Sequence, residues 1–162
     1  MSYLREETIK LLHIAYTHEI SNMLKYDYIS SWLDVKGFSK LSNYYKEWAL
    51  EEKEHSLWVK EFLMDLNIPI KLLSIPEINM DLDSNLVNFA DVTLETEDST
   101  TELYEKILDI AHEFEDSAML IQFANKMLIE QIEETDKANT INDKILNIGD
   151  NKSMLQLFDN TF

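Results

Sequence analysis

The chain has 162 residues, 45% of them hydrophobic and 28% charged, with a net charge of −17. That size and apolar content fit one domain with its own core and exclude general disorder, while the absence of cysteine excludes disulfides, thiolate metal sites and a cysteine nucleophile. So negative a surface repels phosphate backbones and anionic lipid, which removes nucleic acid and membranes as partners and favours cations.

Two glycines and two prolines are too few for the turns of a sandwich or barrel, so an all-α fold is expected. The first helix is expected over about 6–36, with Leu12, Tyr16, Glu19, Met23, Tyr26 and Leu33 on its inward stripe and Gly37 ending it. Ser39 is a candidate cap for the second, over about 40–66. Its seam consists of two rows, one of Leu41, Trp48, His55 and Phe62 and one of Tyr45, Glu52, Val59 and Leu66. The next 20 or so residues hold both prolines and are long for a connection. They suffice to return the chain along a bundle and leave helices two and three parallel.

The third helix, about 86–115, has Ala90, Leu94, Glu97, Thr101, Tyr104, Leu108 and Ala111 on its inward row. A turn at Asp116–Ser117 should cap the fourth, about 117–148, which stops at Gly149. Its rows are Leu120, Met127, Glu134, Ile141, Ile148 and Ala124, Gln131, Ala138, Ile145. A short amphipathic helix over 153–162 completes a single domain, 1–162. The charged N-terminus lacks the apolar run of a signal peptide, and no segment approaches the roughly 20 apolar residues of a spanning helix. A cytoplasmic protein is expected.

Function is written where the apolar stripes are interrupted. Glu19, Glu52, His55, Glu97, Gln131 and Glu134 all fall on faces that should be buried, and at one level of the bundle. The halves also echo each other, because 33 residues separate Glu19 from Glu52 and Glu97 from Glu130. Glu52 heads an E-x-x-H with His55, and Glu130 heads an E-x-x-E with Glu133. Burying an uncompensated carboxylate costs several kcal/mol, and no lysine or arginine on the inward rows is placed to neutralise these. They must share protons or hold cations. Carboxylates with one imidazole suit iron, manganese or zinc, and their distribution over four helices is a dinuclear pattern. Tyr26, seven residues beyond Glu19, faces the same centre; it is a ligand-orienting or redox-active phenol, or a core tyrosine bonded to a carboxylate. His13, His18 and His112 read as surface or core-edge histidines, and Trp32, Trp48 and Trp58 as packing.

The segments HEISNMLKYDYISSWLDVKG, ALEEKEHSLWVKEFL, FADVTLETE and MLIEQIEETDK resemble non-haem bacterial ferritin across nearly the whole chain. The resemblance implies a ferritin-like four-helix bundle with a long crossover between helices two and three and a short fifth helix. It implies a first iron site at Glu19, Glu52 and His55, with Glu52 bridging to a second completed by Glu97, Gln131 and Glu134. Glu51, Glu130, Glu133 and Glu134 match the family's third site, and Tyr26 matches the tyrosine beside the centre. Also implied are oxidation of Fe(II) by dioxygen, storage of ferric oxyhydroxide, and a cage of 24 subunits. The sequence departs from the family pattern at Thr96, where a histidine is common, and at Lys126, where tryptophan is frequent. No haem is expected, because Lys53 stands where bacterioferritin needs a methionine. Two other readings stay open: a peroxide-consuming di-iron protein, and a helical bundle serving as a structural or interaction protein.

Overall fold

The computed structural model of the chain describes residues 4–78, 80–114 and 118–162. It has five helices among them: α1 Glu6–Val35, α2 Ser39–Asp65, α3 Asn88–Glu113, α4 Ala118–Ile148 and α5 Lys152–Asp159. The long crossover runs between α2 and α3, and the fold is a ferritin-like four-helix bundle with a short C-terminal helix. The turn expected at Asp116–Ser117 lies outside the described residues. Among those described, no helix is long and apolar enough to cross a membrane.

Two apolar clusters define the bundle. One joins Tyr26 to Leu33 of α1, Tyr45 and Trp48 of α2, Phe89 and Ala90 of α3, and Ala138 to Ile145 of α4. The other joins Leu12 and Ala15, Val59 and Leu63, Tyr104 to Ala111, and Leu120 to Met127. The starts of α2 and α3 therefore share one end with the finishes of α1 and α4. That makes α2 and α3 parallel, which two helices joined by so long a connection can be. The helices pack chiefly in two hairpins, α1 on α2 and α3 on α4.

Local signals set the ends. Gly37, at φ 91°, takes the left-handed position after α1. Its N–H reaches Asp34 O at 2.9 Å while the Phe38 N–H reaches Leu33 O at 2.9 Å, the paired closure of a Schellman motif. Phe38 and Leu33 are both fully buried beneath it. Asn67 closes α2 in the same way at φ 58°. Ser39 does not cap α2, however. It is the first helical residue, Phe38 holds the cap position, and no side chain there caps the helix. Instead Asp159 of α5 accepts from the Leu41 N–H at 2.7 Å.

The deep face of α3 also differs from expectation. Leu94, Thr101 and Leu108 are half-buried, whereas Thr93, Thr96 and Thr100 lie in the interior. Each of these hydroxyls donates to the carbonyl four residues back, at 2.7–2.9 Å. A threonine satisfied by its own helix can be buried cheaply, so hydropathy alone assigned the wrong flank. The crossover is fastened along α1: Thr17 Oγ1 accepts from Leu73 N at 3.0 Å, and Asp83 Oδ1 accepts from Trp32 Nε1 at 2.9 Å.

Candidate metal centre

Between the two apolar clusters lies one polar layer. Glu19, Glu52, His55, Glu97, Gln131 and Glu134 are all buried there, one or two from each helix. The helices place them through the same periodicity that builds the core, so each interrupts a stripe at the height where its neighbours do. Glu19, Glu52 and His55 offer ligand atoms that all lie within 4.8 Å of one another. Glu52, Glu97 and Glu134 form a second such group. Glu52 belongs to both.

The electrostatics match crowded, desolvated carboxylates. Burial pushes Glu19 up to about 7 from 4.5, with the Glu97 charge adding to it. Burial and the Glu19 and Glu97 charges hold Glu52 well above its ordinary value. Glu134 is pushed up to about 8 by burial and by Glu97, and burial raises Glu97 too. The His55 imidazole is lowered to about 4 by burial, which leaves it neutral and free to donate a lone pair near pH 7. Among the described residues, six buried side-chain atoms have no hydrogen-bond partner. Four belong to these groups: Glu19 Oε2, Glu52 Oε1, His55 Nδ1 and Glu134 Oε2. Buried polar atoms are almost always paired; four unpaired ones on residues of these two groups fit ligands of divalent cations.

The remaining oxygens are held in place. The Tyr26 hydroxyl donates to Glu97 Oε1, and its ring stacks on Trp48 with centroids 4.9 Å apart. The Tyr104 hydroxyl donates to Glu19 Oε1 at 2.5 Å. Gln131 serves Glu97 as a donor, Nε2 to Oε2 at 3.1 Å. Asn22 Nδ2 donates to Glu52 Oε2 at 3.3 Å and to Thr100 Oγ1 at 2.9 Å. Thr100 Oγ1 lies 2.8 Å from His18 Nε2, which ties a half-buried histidine to the layer through Asn22. His13 is buried, 3.2 Å from Pro69 O, and His112 is exposed.

The flanking acids occupy a wetter setting. Glu51, Glu130, Glu133, Glu134 and His55 line a cavity of about 280 Å³ together with Glu54, Trp58 and Lys137. The side chains of Glu51 and Glu133 are 44% and 70% exposed, so the water excluded from the inner pair reaches these. No lysine or arginine was expected on the inward rows to neutralise the acids, but one from beside those rows reaches them. Lys137, one turn beyond Glu134 and off the inward rows, puts its ammonium 3.2 Å from Glu134 Oε1 and 2.9 Å from Glu51 Oε2. A four-carbon stem reaches across a turn, which a row of Cα positions does not record. Asn22, Thr100 and Tyr104 were likewise not singled out; Tyr104 stood on the expected inward row, and its spacing of seven from Glu97 was the available signal.

The Ferritin family model, described as a ferritin-like domain, matches residues 9–148. Two curated relatives, both named bacterial non-heme ferritin, come from Staphylococcus saprophyticus and Staphylococcus haemolyticus. Each is 27% identical over 156 residues, covering 96% of this chain and 92% or 93% of the relative. In structure the chain is similar to the open pore ferritin of Archaeoglobus fulgidus, with a TM-score of 0.90 over 98% of this chain and 96% of that one, at 23% identity.

Proposed function

Because the chain belongs to the ferritin family, we propose that it oxidises Fe(II) with dioxygen at the polar layer and stores the ferric product inside a cage of its own copies. Iron is substrate and cargo here. Glu19, Glu52 and His55 take the first ion, and Glu97, Gln131 and Glu134 take the second. Glu52 lies between them and sets their separation. Each Fe(II) gives one electron to dioxygen, and anionic oxygen ligands favour the harder Fe(III) that results. Glu51, Glu130 and Glu133, with Glu134, make a weaker and more hydrated third position. Tyr26 orients Glu97 through its hydroxyl. The relatives' names support iron storage, and the absence of cysteine argues against a cysteine-ligated electron-transfer partner domain within residues 1–162.

The carrying observation is that one residue, Glu52, is common to both ligand groups while four of the centre's atoms stay unpaired. On the family resemblance we also propose assembly into 24 subunits, in the cytoplasm. Exposed apolar side chains such as Leu50, Ile129, Ile132 and Leu146 support self-association. The test is aerobic Fe(II) addition with light scattering before and after. Wild type should oxidise iron rapidly and grow a mineral within a particle of unchanged outer size. Glu52→Ala should fold and assemble but lose the fast phase by about 100-fold or more, since both ions lose a ligand. Fast oxidation by that variant would sink the paired-site reading, and peroxide turnover without mineral growth would replace storage with peroxide consumption.

A further inference from the structure

Lys137 stands among carboxylates as a metal ion would. Its Nζ lies 2.9 Å from Glu51 Oε2, 3.2 Å from Glu134 Oε1 and 3.7 Å from Glu133 Oε1. The side chain is only 25% exposed, and the cavity it enters is the one Glu130 and His55 also line. An ammonium is a compact point charge with three donors and no acceptor, so it can satisfy three anions at once. Glu134 divides its two oxygens: Oε1 goes to Lys137, and Oε2 is buried without a partner, while the residue also offers a ligand oxygen to the group with Glu52 and Glu97. The oxygens that Lys137 engages, Glu51 Oε2 and Glu134 Oε1, are the ones a third divalent ion in this cavity would need.

We propose that Lys137 is a tethered competitor for the third cation position: its ammonium holds Glu51 and Glu134 when no third ion is bound, and a divalent ion must displace it to enter. The inference rests on the paired-site reading above and adds to it. The inner pair is left to fill first. Ions in the outer position are held weakly, because the lysine remains attached and returns whenever the ion leaves. Displacement is a swing of a flexible stem toward solvent, with no change in the bundle, and Trp48, whose ring centroid is 5.9 Å from Nζ, borders its path.

Calorimetric titration of the assembled apo protein with Zn(II), which does not change oxidation state, tests this. Wild type, Lys137→Gln and Lys137→Arg should each bind two ions tightly per chain. The Gln variant should bind a third about tenfold or more tighter than wild type, because a like charge a few Å from the ion has been removed. The Arg variant should stay within about threefold of wild type. Lys137→Met, which keeps the aliphatic stem, serves as a second charge-free variant should the Gln protein fail to fold. Anomalous scattering from Zn(II)-soaked crystals should place the added ion against Glu51 and Glu134. Two tight ions in every variant with unchanged third-ion affinity would overturn the role of Lys137 and leave the paired site standing. Fewer than two ions on the wild type would overturn both.

Discussion

The carboxyl of Tyr104's partner, Glu19, is fully buried, and that phenol is what satisfies one of its two oxygens. The other oxygen is unpartnered, and Glu19 belongs to the group with Glu52 and His55. Removing the hydroxyl would leave a buried acceptor unsatisfied and free the carboxylate to rotate away from its neighbours. Groups that orient a metal ligand from behind commonly account for 10–100-fold in metal affinity. Tyr104→Phe should therefore weaken Zn(II) binding at the Glu19–Glu52–His55 position about tenfold, leave the Glu52–Glu97–Glu134 position near wild type, and keep the bundle folded. Competitive titration against a chromophoric chelator measures both steps, and equal weakening at the two positions would argue against this division. At this scale the buried acids were legible, because a glutamate on an apolar stripe contradicts its surroundings. Asn22, Thr100 and Lys137 were not. Periodicity assigns a face, while these three act by reaching to a neighbouring helix or across a turn.

Helices are stabilised at their ends by whatever meets their unpaired N–H groups. For α2 that partner comes from 118 residues away in sequence, Asp159 of α5, itself only 2% exposed. A carboxylate there also meets the positive end of the helix dipole. Asp159→Ala should cost about 1–3 kcal/mol, since it removes a charged cap from a buried position. Thermal unfolding at fixed protein concentration should report the loss, and hydrogen exchange should show the first turn of α2 and all of α5 opening together. Exchange that rises in α5 alone would mean the contact does not hold α2. The extents of the long helices were readable from stripes and from Gly37 and Gly149, whose positive φ angles bear out their role as stops. Ser39 was misread because a residue type favoured at caps also serves as a first helical residue once a distant acid does the capping. The flank of α3 was misread for a related reason: threonine is polar by composition, but Thr93, Thr96 and Thr100 each donate their hydroxyl hydrogen to a carbonyl of their own helix.

The whole bundle encloses a layer that resists ionisation, and its stability must therefore depend on pH and on cations. The folded-state values of Glu19 and Glu134, about 7 and about 8, lie above the ordinary 4.5, and Glu52 and Glu97 shift the same way. Such groups bind protons more tightly when folded. Their contribution is complete below pH 4.5 and is lost as pH rises through the folded values. His18 and His55 act oppositely: both are lowered to about 4 from 6.5, so they cost stability as pH falls from 6.5 toward 4. The two effects oppose each other in that lower range. Between pH 6.5 and 8 the folded histidines are neutral and the unfolded ones lose only the remainder of their charge, so the larger response is that of the carboxylates. Apo protein should accordingly melt at lower temperature at pH 8 than at pH 6.5. Divalent ions invert the sign, because they bind the deprotonated ligands and replace the protons the folded state was holding. Saturating Zn(II), at about 100 times its Kd, should add about 2.7 kcal/mol per site by mass action, on the order of 5–10 °C for a chain of this length. With the Zn(II) concentration held the same at both pH values, the gain should be larger at pH 8 than at pH 6.5, because affinity rises as the ligands deprotonate, so that the metal-bound melting temperature no longer falls across that interval. Differential scanning calorimetry at one protein concentration and one scan rate compares the four conditions. An apo melting temperature that rises from pH 6.5 to 8 would mean that these carboxylates are not held protonated in the fold, and one that ignores saturating Zn(II) would mean that the layer is an ordinary protonated core and not a cation site.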